Sequence, residues 1–336
     1  MLERLGSSLP VVAAPMAGGP TTPDLVVAAA EAGFGGFLAA GYKTPEALAA
    51  DIEQVRRRTP AYGVNLFAPP VVPVDPAAYA AYRNLLMPLA ERYGVELPAA
   101  PVEDDDHWQA KVDVLADLAP PVVSFTFGIP EGAVVDVLHR AGCLLVQTVT
   151  SAAEARRAAE AGMDGLAVQS SEAGGHWGTL TPATPPSALP LPALVRSVRA
   201  SVGLPVLAAG GLGTAVDVRA ALEAGAEAVV VGTVLLLADE AGTNPGHRAG
   251  LTDGRSGHVT TAAFSGRPAG ALPNGFLAAY DGRGPLGYPA LHHLTSPIRR
   301  AAAAAADPEH VNLWAGTGHA HARAAPAGEI LRELLP

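Results

Sequence analysis

The sequence predicts an α/β fold, a (β/α)8 TIM barrel with an inserted lid subdomain. Short runs rich in β-branched residues alternate with alanine-rich helical patterns between Val11 and Gly232, and such alternation is typical of a parallel sheet. An Ala-Gly pair closes several of the helical patterns directly before a strand. Eight strand–helix units fit a closed barrel better than an open sheet, and a doubly wound sheet is the structural alternative.

Eight apolar runs have the length and composition of buried strands. The predicted strands are Val11–Ala14, Gly36–Ala39, Gly63–Phe67, Val122–Phe127, Leu144–Val149, Gly165–Gln169, Val206–Ala209 and Ala228–Gly232.

Helical patterns lie between most of these strands. The clearest are Pro23–Ala32, Pro45–Arg57, Pro130–Arg140, Ala152–Ala161 and Ala215–Ala224. Four helices end in a weak internal repeat, an Ala-Gly pair whose glycine is expected to adopt the left-handed conformation that terminates a helix. These glycines are Gly33, Gly142, Gly162 and Gly225.

Two segments interrupt the alternation and define the predicted domain organisation. Residues 1–238 form the barrel, with a proline-rich insertion at about 68–106 that contains a helix over Tyr79–Tyr93. Residues 239–310 are rich in Gly, Pro, His and Asn and are expected to form a lid subdomain. Residues 311–336 return to the barrel with a final helix over Pro326–Leu335.

Composition excludes several classes of function. The net charge is −10, and the only lysines are Lys43 and Lys111, so no basic patch is available for nucleic acid. The single cysteine, Cys143, allows neither a disulfide framework nor a cysteine zinc site. The N-terminus lacks an apolar signal stretch, and the longest apolar run, Ala228–Ala238, is too short to span a bilayer. We therefore expect a cytoplasmic protein.

Active sites of TIM barrels lie at the carboxyl ends of the strands. Glycines are concentrated at the predicted strand ends, and the polar side chains there are few, chiefly Asn65, Gln169, His176 and Thr233. After the sixth strand, Gly174-Gly175-His176 places an imidazole next to two residues without side chains. An imidazole in that position can act as a base or as a hydrogen-bond donor near neutral pH.

Glycines lie at the carboxyl ends of the last two predicted strands, which indicates a phosphate site. Glycines allow backbone N–H groups to approach phosphate oxygens, and the loops after these two strands commonly bind phosphate in TIM barrels. The residues that fit this role are Gly210, Gly211, Gly213, Gly232 and Thr233.

Several other chemistries are disfavoured. A complete dinucleotide-binding, Walker A, zincin or nucleophile-elbow motif is absent from the sequence, and no lysine lies in a predicted strand. Cys143 lies at the start of a strand, opposite the catalytic end, and is interpreted as a small buried hydrophobe. The pair His292-His293 lacks carboxylates at ligand spacing and is interpreted as part of a loop, as are His319 and His321. No metal site is predicted.

Six segments, taken in order, resemble nitronate monooxygenase, a family formerly called 2-nitropropane dioxygenase. They read VVAAPMAGGPTTPDL, YGVNLF, VQSSEAGGHWG, VLAAGGLGT, VVVGT and, near the C-terminus, LWAGTG. Each segment alone is a weak signal, but their order along nearly the whole barrel is specific. The resemblance implies an FMN-dependent (β/α)8 barrel with an inserted lid.

The resemblance also implies roles for individual residues. Met16 would lie beside the flavin ring, Asn65 would hydrogen-bond the flavin, and His176 would face the substrate as the catalytic residue. The other expected FMN contacts are Gln169, Gly174, Gly175, Gly210, Gly211, Val230, Val231, Gly232 and Thr233. The family usually has arginine after this histidine, and Trp177 is expected to give the substrate wall a larger apolar surface instead.

The function implied is the FMN-dependent oxidation of alkyl nitronates by O2 to a carbonyl compound and nitrite. The nearest alternative is an FMN-dependent enoyl-acyl-carrier-protein reductase that uses NAD(P)H, and a third is a non-redox flavin- or phosphate-binding module. The expected partners are the small-molecule nitronate and O2, with no nucleic acid and no membrane. Whether the chain forms a homodimer is left open.

Overall fold

A closed barrel of eight parallel strands forms the body of the protein. The structure, a computed structural model, describes residues 1–69, 73–185 and 187–336, so residues 70–72 of the predicted insertion lie outside the described residues. The barrel strands are β1 (Val11–Ala13), β2 (Gly35–Ala39), β3 (Gly63–Phe67), β4 (Val122–Thr126), β5 (Leu144–Val149), β6 (Gly165–Gln169), β8 (Val206–Ala209) and β9 (Ala228–Val231). The prediction of a (β/α)8 barrel is confirmed, and the open-sheet alternative is wrong.

The barrel closes where β1 pairs in parallel with both β2 and β9, with Val12 opposite Val230. Side chains from six of the barrel strands form a buried cluster with Leu5 of an N-terminal 3-10 turn, Leu2–Leu5. The strand members of this cluster are Val12, Phe37, Val122, Val146, Leu207 and Ala228. The amino end of the barrel is therefore filled by side chains, as in other TIM barrels, and space for a ligand remains at the other end.

Twelve α-helices accompany the strands within the part of the chain that the structure describes. They are α1 (Pro23–Glu31), α2 (Pro45–Arg56), α3 (Pro76–Tyr93), α4 (Trp108–Leu118), α5 (Gly132–Arg140), α6 (Ala152–Glu160), α7 (Leu191–Arg199), α8 (Ala215–Glu223), α9 (Pro245–Thr252), α10 (Gly275–Tyr280), α11 (Ala290–Ala304) and α12 (Ala327–Glu333). The predicted helices begin and end within a few residues of these bounds. His292 and His293, predicted in a loop, lie in α11 instead.

The repeated glycines adopt the conformation that the sequence predicted. Each follows a helix and has φ between +84° and +105°: Gly33, Gly142, Gly162 and Gly225. Left-handed residues at these positions end each helix and turn the chain into the next strand. The repeat is therefore a helix-termination signal.

A small antiparallel sheet lies outside the barrel, in the order β10 (Val259–Thr261), β11 (Ala269–Ala271) and β7 (Gly175–His176). His176, predicted in a free loop, is thus part of a strand whose partner comes from about 90 residues further along the chain, with His176 opposite Ala269. This sheet connects the loop after β6 to the predicted lid subdomain.

The insertion after β3 packs against the same predicted lid. Tyr79, Tyr82 and Leu86 of α3 form a second buried cluster with Phe264 and Leu294, separate from the main core of the barrel. The Tyr82 hydroxyl donates to the Ala263 carbonyl at 2.8 Å. Two segments far apart in sequence therefore share one hydrophobic cluster.

No helix of the described residues is long and apolar enough to cross a membrane.

Gly142→Ala is expected to destabilise the fold by about 1–2 kcal/mol, because an L-residue is strained in the left-handed region. Gly142 has φ +87° and open space at the position of a Cβ, so the cost arises from the backbone alone. Gly132→Ala is the matched control: its Cβ would also meet open space, but its φ is not positive. Urea unfolding should show a stability for Gly132→Ala equal to or above wild type; equal losses in both variants would contradict the assignment.

Candidate active site

A cavity of about 490 Å³ lies at the carboxyl ends of the barrel strands, and its volume is typical of ligand sites. Of the thirteen residues assigned to a site from the sequence, all but Gly213 line it. The lining residues are Met16, Asn65, Gln169, Gly174, Gly175, His176, Gly210, Gly211, Val230, Val231, Gly232 and Thr233. The structure brings these residues together, and their individual roles stay predictions.

One end of the cavity is formed by the turns after β8 and β9. Gly210 and Gly211 have φ of +102° and +74°, which favours glycine at both positions. Gly232 leads into the 3-10 turn Thr233–Leu235, and the Thr233 Oγ1 atom accepts from the Gly316 N–H at 2.9 Å. The Thr233 hydroxyl proton remains available to a ligand.

Gly213 does not fit the phosphate role predicted for it. Its N–H donates to the Asp217 Oδ2 atom at 3.1 Å, and the Thr214 N–H donates to the same oxygen at 2.9 Å. This capping box satisfies the first amides of α8, so a phosphate cannot use them. Sequence alone could have shown this, because Thr214 with Asp217 three residues later is a capping-box pattern.

A carboxylate lies beside Gly211. A Cβ placed on Gly211 would be 2.7 Å from the Glu172 Oε2 atom and 3.1 Å from the Glu172 Cβ atom, and together with the positive φ this strongly favours glycine. A phosphate bound nearby would have this acidic neighbour, and its binding would have to come from backbone N–H groups and Thr233.

Asn65 is buried and orients one polar atom toward the cavity. Its Nδ2 donates to Ser124 Oγ at 2.9 Å and to Thr126 Oγ1 at 3.1 Å, which fixes the amide orientation. Its Oδ1 makes no hydrogen bond within the described ranges and is available as an acceptor. Asn65 can therefore accept a hydrogen bond from an N–H group of a bound ring.

Gln169 holds the segment that carries His176. Its Oε1 accepts from the Gly178 N–H at 2.7 Å, and its Nε2 lies 3.5 Å from the His176 carbonyl oxygen. Part of the hydrogen-bonding capacity of Gln169 is therefore used by the protein itself.

His176 lies inside an aromatic enclosure. Its ring centre lies 5.7 Å from that of Phe127 and 5.5 Å from those of Tyr288 and Trp314. Its Nε2 lies 2.7 Å from the Ser265 hydroxyl oxygen. Burial, followed by the charges of two nearby arginines, lowers the pKa of His176 to about 3, so the imidazole is neutral at ordinary pH.

The first of these arginines, Arg267, lies behind the cavity wall. It is 1% exposed, and its guanidinium carbon lies 4.1 Å from the centre of the Phe127 ring. Its Nε donates to the Trp177 carbonyl at 3.2 Å, and a terminal nitrogen donates to the Thr179 carbonyl. Arg267 thus holds the chain on the far side of His176.

The second arginine, Arg299 of α11, lines the cavity itself. It donates to neutral acceptors only, which include the His292 carbonyl at 2.9 Å, Thr295 Oγ1 at 3.0 Å and Asn312 Oδ1 at 3.2 Å. No salt bridge joins Arg267 or Arg299 to a carboxylate among the residues described. Arg299 is thus a partly buried cation at the cavity wall without a carboxylate partner among the described residues, and it favours an anionic ligand in this cavity.

Much of the aromatic wall around His176 was not predicted from the sequence. Phe127, Tyr288 and Trp314 surround His176, and His292 stacks on Tyr42 with ring centres 4.2 Å apart. Phe127 has φ +82°, an uncommon value for a residue with a Cβ and one often found at functional sites. These residues come from segments that are far apart in the sequence, so no local sequence pattern identified them.

Trp177, expected to form a larger apolar substrate wall, is not among the residues that line the cavity. It is 7% exposed, and its backbone N–H donates to the Pro268 carbonyl at 3.0 Å. Trp314 provides the indole surface instead, since it lines the cavity and contacts His176.

No group of three or more metal-ligating side chains occurs in the described ranges. The cavity presents the neutral imidazole of His176, the guanidinium of Arg299, the side-chain oxygen of Asn65 as an acceptor, and apolar surfaces. It can bind a planar ring together with a small anionic or strongly polar molecule, and the imidazole can exchange a proton with that molecule.

His247 of α9 also lines the cavity. It is 4% exposed, and its Nε2 has no hydrogen-bond partner within the part of the chain that the structure describes. Burial lowers the pKa of His247 to about 4. The folded protein therefore holds this ring neutral where an unfolded chain would protonate it.

Comparison with known proteins gives consistent matches over the whole chain. A family model described as nitronate monooxygenase matches residues 2–336. Two proteins described as probable nitronate monooxygenases, from Staphylococcus aureus strains JH9 and Newman, are each 32% identical over 343 aligned positions, which cover 100% of this chain and 96% of the relative.

Solved structures extend this comparison. Nitroalkane oxidase from Streptomyces ansochromogenes is 42% identical with a TM-score of 0.92, covering 99% of this chain and 96% of its own. FabK from Thermotoga maritima is 24% identical with a TM-score of 0.74, covering 99% and 93%. At that identity the likeness to FabK concerns the fold alone.

The pKa of His247 predicts a pH-dependent stability of the flavin-free protein. Between pH 6.5 and about pH 4, the unfolded chain binds a proton at this histidine that the folded protein does not. The free energy of unfolding should therefore decrease as the pH falls through this window. In His247→Gln the slope should be smaller by up to about 1.4 kcal/mol per pH unit. Urea titrations at several pH values measure how the free energy of unfolding depends on pH. The same slope in wild type and His247→Gln would contradict a buried, neutral His247.

Proposed function

The chain belongs to the nitronate monooxygenase family and is a flavin-dependent oxidoreductase, and on that premise we propose that it oxidises alkyl nitronates with bound FMN and O2. The products are a carbonyl compound and nitrite. The observation that carries the proposal is the position of His176 in a closed aromatic enclosure beside a cation that no carboxylate neutralises.

The residues that line the cavity fit FMN. Two glycine-containing turns with the Thr233 hydroxyl supply donors for one phosphate, and Asn65 supplies an acceptor for an N–H group of the ring. Met16 and the aliphatic ends of β9 supply an apolar surface for a ring. A site for a second phosphate, as FAD would require, was not identified from the sequence. When bound, FMN would accept the electrons of the substrate and pass them to O2.

The protein's part is to bind and orient the substrate. Arg299 provides a positive charge at the cavity wall, which favours a nitronate anion over a neutral molecule of the same shape. The rings of Phe127 and Trp314, which line the cavity, enclose the alkyl group and exclude water. His176 either donates a hydrogen bond to the nitronate or accepts a proton from the carbon of a neutral nitroalkane.

Purified holoprotein should consume O2 and release nitrite when it is given a nitronate in air without any nicotinamide. This assay separates the proposal from the alternative, an NAD(P)H-dependent enoyl-acyl-carrier-protein reductase, which requires the nicotinamide. Denaturation should release FMN, identified by chromatography. Recovery of FAD, or oxidation of NAD(P)H with an enoyl substrate and no activity toward nitronates, would refute the proposal.

Thr233→Val should weaken FMN binding about 10–100-fold, because a charge-assisted hydrogen bond contributes about 1.5–3 kcal/mol. The variant keeps the shape of the side chain and loses the hydroxyl. Thr233→Ser is the matched control, since it keeps both the donor and the acceptor for Gly316. Fluorescence titration of apoprotein with FMN measures the two dissociation constants; equal affinities would place the phosphate elsewhere.

A further inference from the structure

We propose that Ser265 is a positioning residue that holds His176 in one tautomer, with the proton on Nε2 and the lone pair of Nδ1 directed to the ligand. The inference rests on the proposed function only for its consequence, the use of neutral nitroalkanes. Its structural basis is the 2.7 Å contact between Ser265 Oγ and His176 Nε2.

Both residues of this contact are held rigidly. Strand β7 pairs with β11, which places His176 opposite Ala269, and the Trp177 N–H donates to the Pro268 carbonyl. The Arg267 side chain donates to the carbonyls of Trp177 and Thr179. The segment 265–269 and the segment 176–179 are thus joined by backbone and side-chain bonds on both sides of the contact.

The hydrogen bonds around Ser265 assign the proton. Ser265 is 1% exposed, and its single hydroxyl proton is donated to the Arg267 carbonyl at 3.2 Å. Its oxygen accepts weakly from the Arg267 N–H at 3.4 Å. With the hydroxyl proton so used, the 2.7 Å contact is satisfied only if His176 donates its Nε2–H to Ser265. The reverse assignment would leave a buried carbonyl without this donor.

The tautomer determines what His176 can do. A neutral imidazole with its proton on Nε2 carries a lone pair on Nδ1, and Nδ1 makes no hydrogen bond within the described residues. This atom can accept a proton from the carbon next to a nitro group. The C–H bond breaks, the proton goes to Nδ1, and the electron pair moves onto the nitro group to give the nitronate.

The surroundings keep the His176 imidazole neutral and disfavour its protonated form. Burial and the two arginines keep the imidazole neutral before it reacts, so its lone pair is free. The imidazolium that forms lies near the cation Arg299, and the nitronate formed with it supplies the compensating negative charge. Proton transfer to His176 therefore depends on the nitronate anion staying beside the imidazolium and Arg299 as it forms.

Ser265→Ala removes the acceptor of the Nε2–H with little change in volume. We expect two results: His176 populates both tautomers, and turnover of a neutral nitroalkane falls about 10–100-fold while turnover of the pre-formed nitronate changes by less than about threefold. Ser265→Thr retains the hydroxyl and should restore the wild-type ratio of the two rates. Ser201→Ala is the matched control, because it removes a hydroxyl-to-carbonyl bond at the end of α7.

The tautomer is read directly from the ¹⁵N shifts of the imidazole nitrogens in histidine-labelled protein, with His176→Asn used to assign the signal. This spectrum requires no substrate and no variant of Ser265, so it tests the inference even if Ser265→Ala does not fold. A wild-type His176 protonated on Nδ1 would overturn the inference, as would an unchanged tautomer and rate ratio in Ser265→Ala. A wild type with the expected tautomer and no activity on either substrate would support the role of Ser265 and refute the proposed function.

Discussion

The two-residue strand Gly175–His176 and its pairing with Ala269–Gly270 are the constraint on which the candidate site depends. The same loop is also held by the Gln169 side chain and by Arg267, which donates to the Trp177 carbonyl. The partner strand belongs to the region predicted to form the lid, which also contributes Ser265, Tyr288 and Arg299. The barrel therefore supplies the floor of the cavity, while a segment later in the chain orients the imidazole above it.

Close backbone contact explains the glycines of this loop. A Cβ on Gly174 would be 2.6 Å from the Ala315 carbonyl carbon, and one on Gly270 would be 2.1 Å from the Ala173 carbonyl oxygen. The LWAGTG segment near the C-terminus, Leu313–Gly318, thus packs directly against the loop that carries His176. Gly174 was expected to contact FMN, and its lack of a Cβ also makes room for the backbone at Ala315.

The barrel and the residues lining its cavity were predictable because they depend on local patterns. Alternating strands and helices, helix-ending glycines such as Gly142, and polar residues at strand ends such as Asn65 are all visible in sequence. The aromatic enclosure was not predictable, because Phe127, Tyr288 and Trp314 come from segments joined only by tertiary packing. Gly213 was misassigned because the neighbouring Asp217 captures its amide, and Trp177 because the strand pairing of His176 turns the next side chain away from the cavity.

The central claim is that the protein takes electrons from a nitronate bound beside His176. The most direct measurement is anaerobic mixing of holoprotein with a nitronate or with NADH or NADPH, followed through the visible absorbance of the bound flavin. The account predicts rapid bleaching by the nitronate, no bleaching by either nicotinamide, and, in fully flavinylated His176→Asn, a smaller loss of rate with the nitronate than with the neutral nitroalkane. Bleaching by NADH or NADPH with none by nitronates would contradict it.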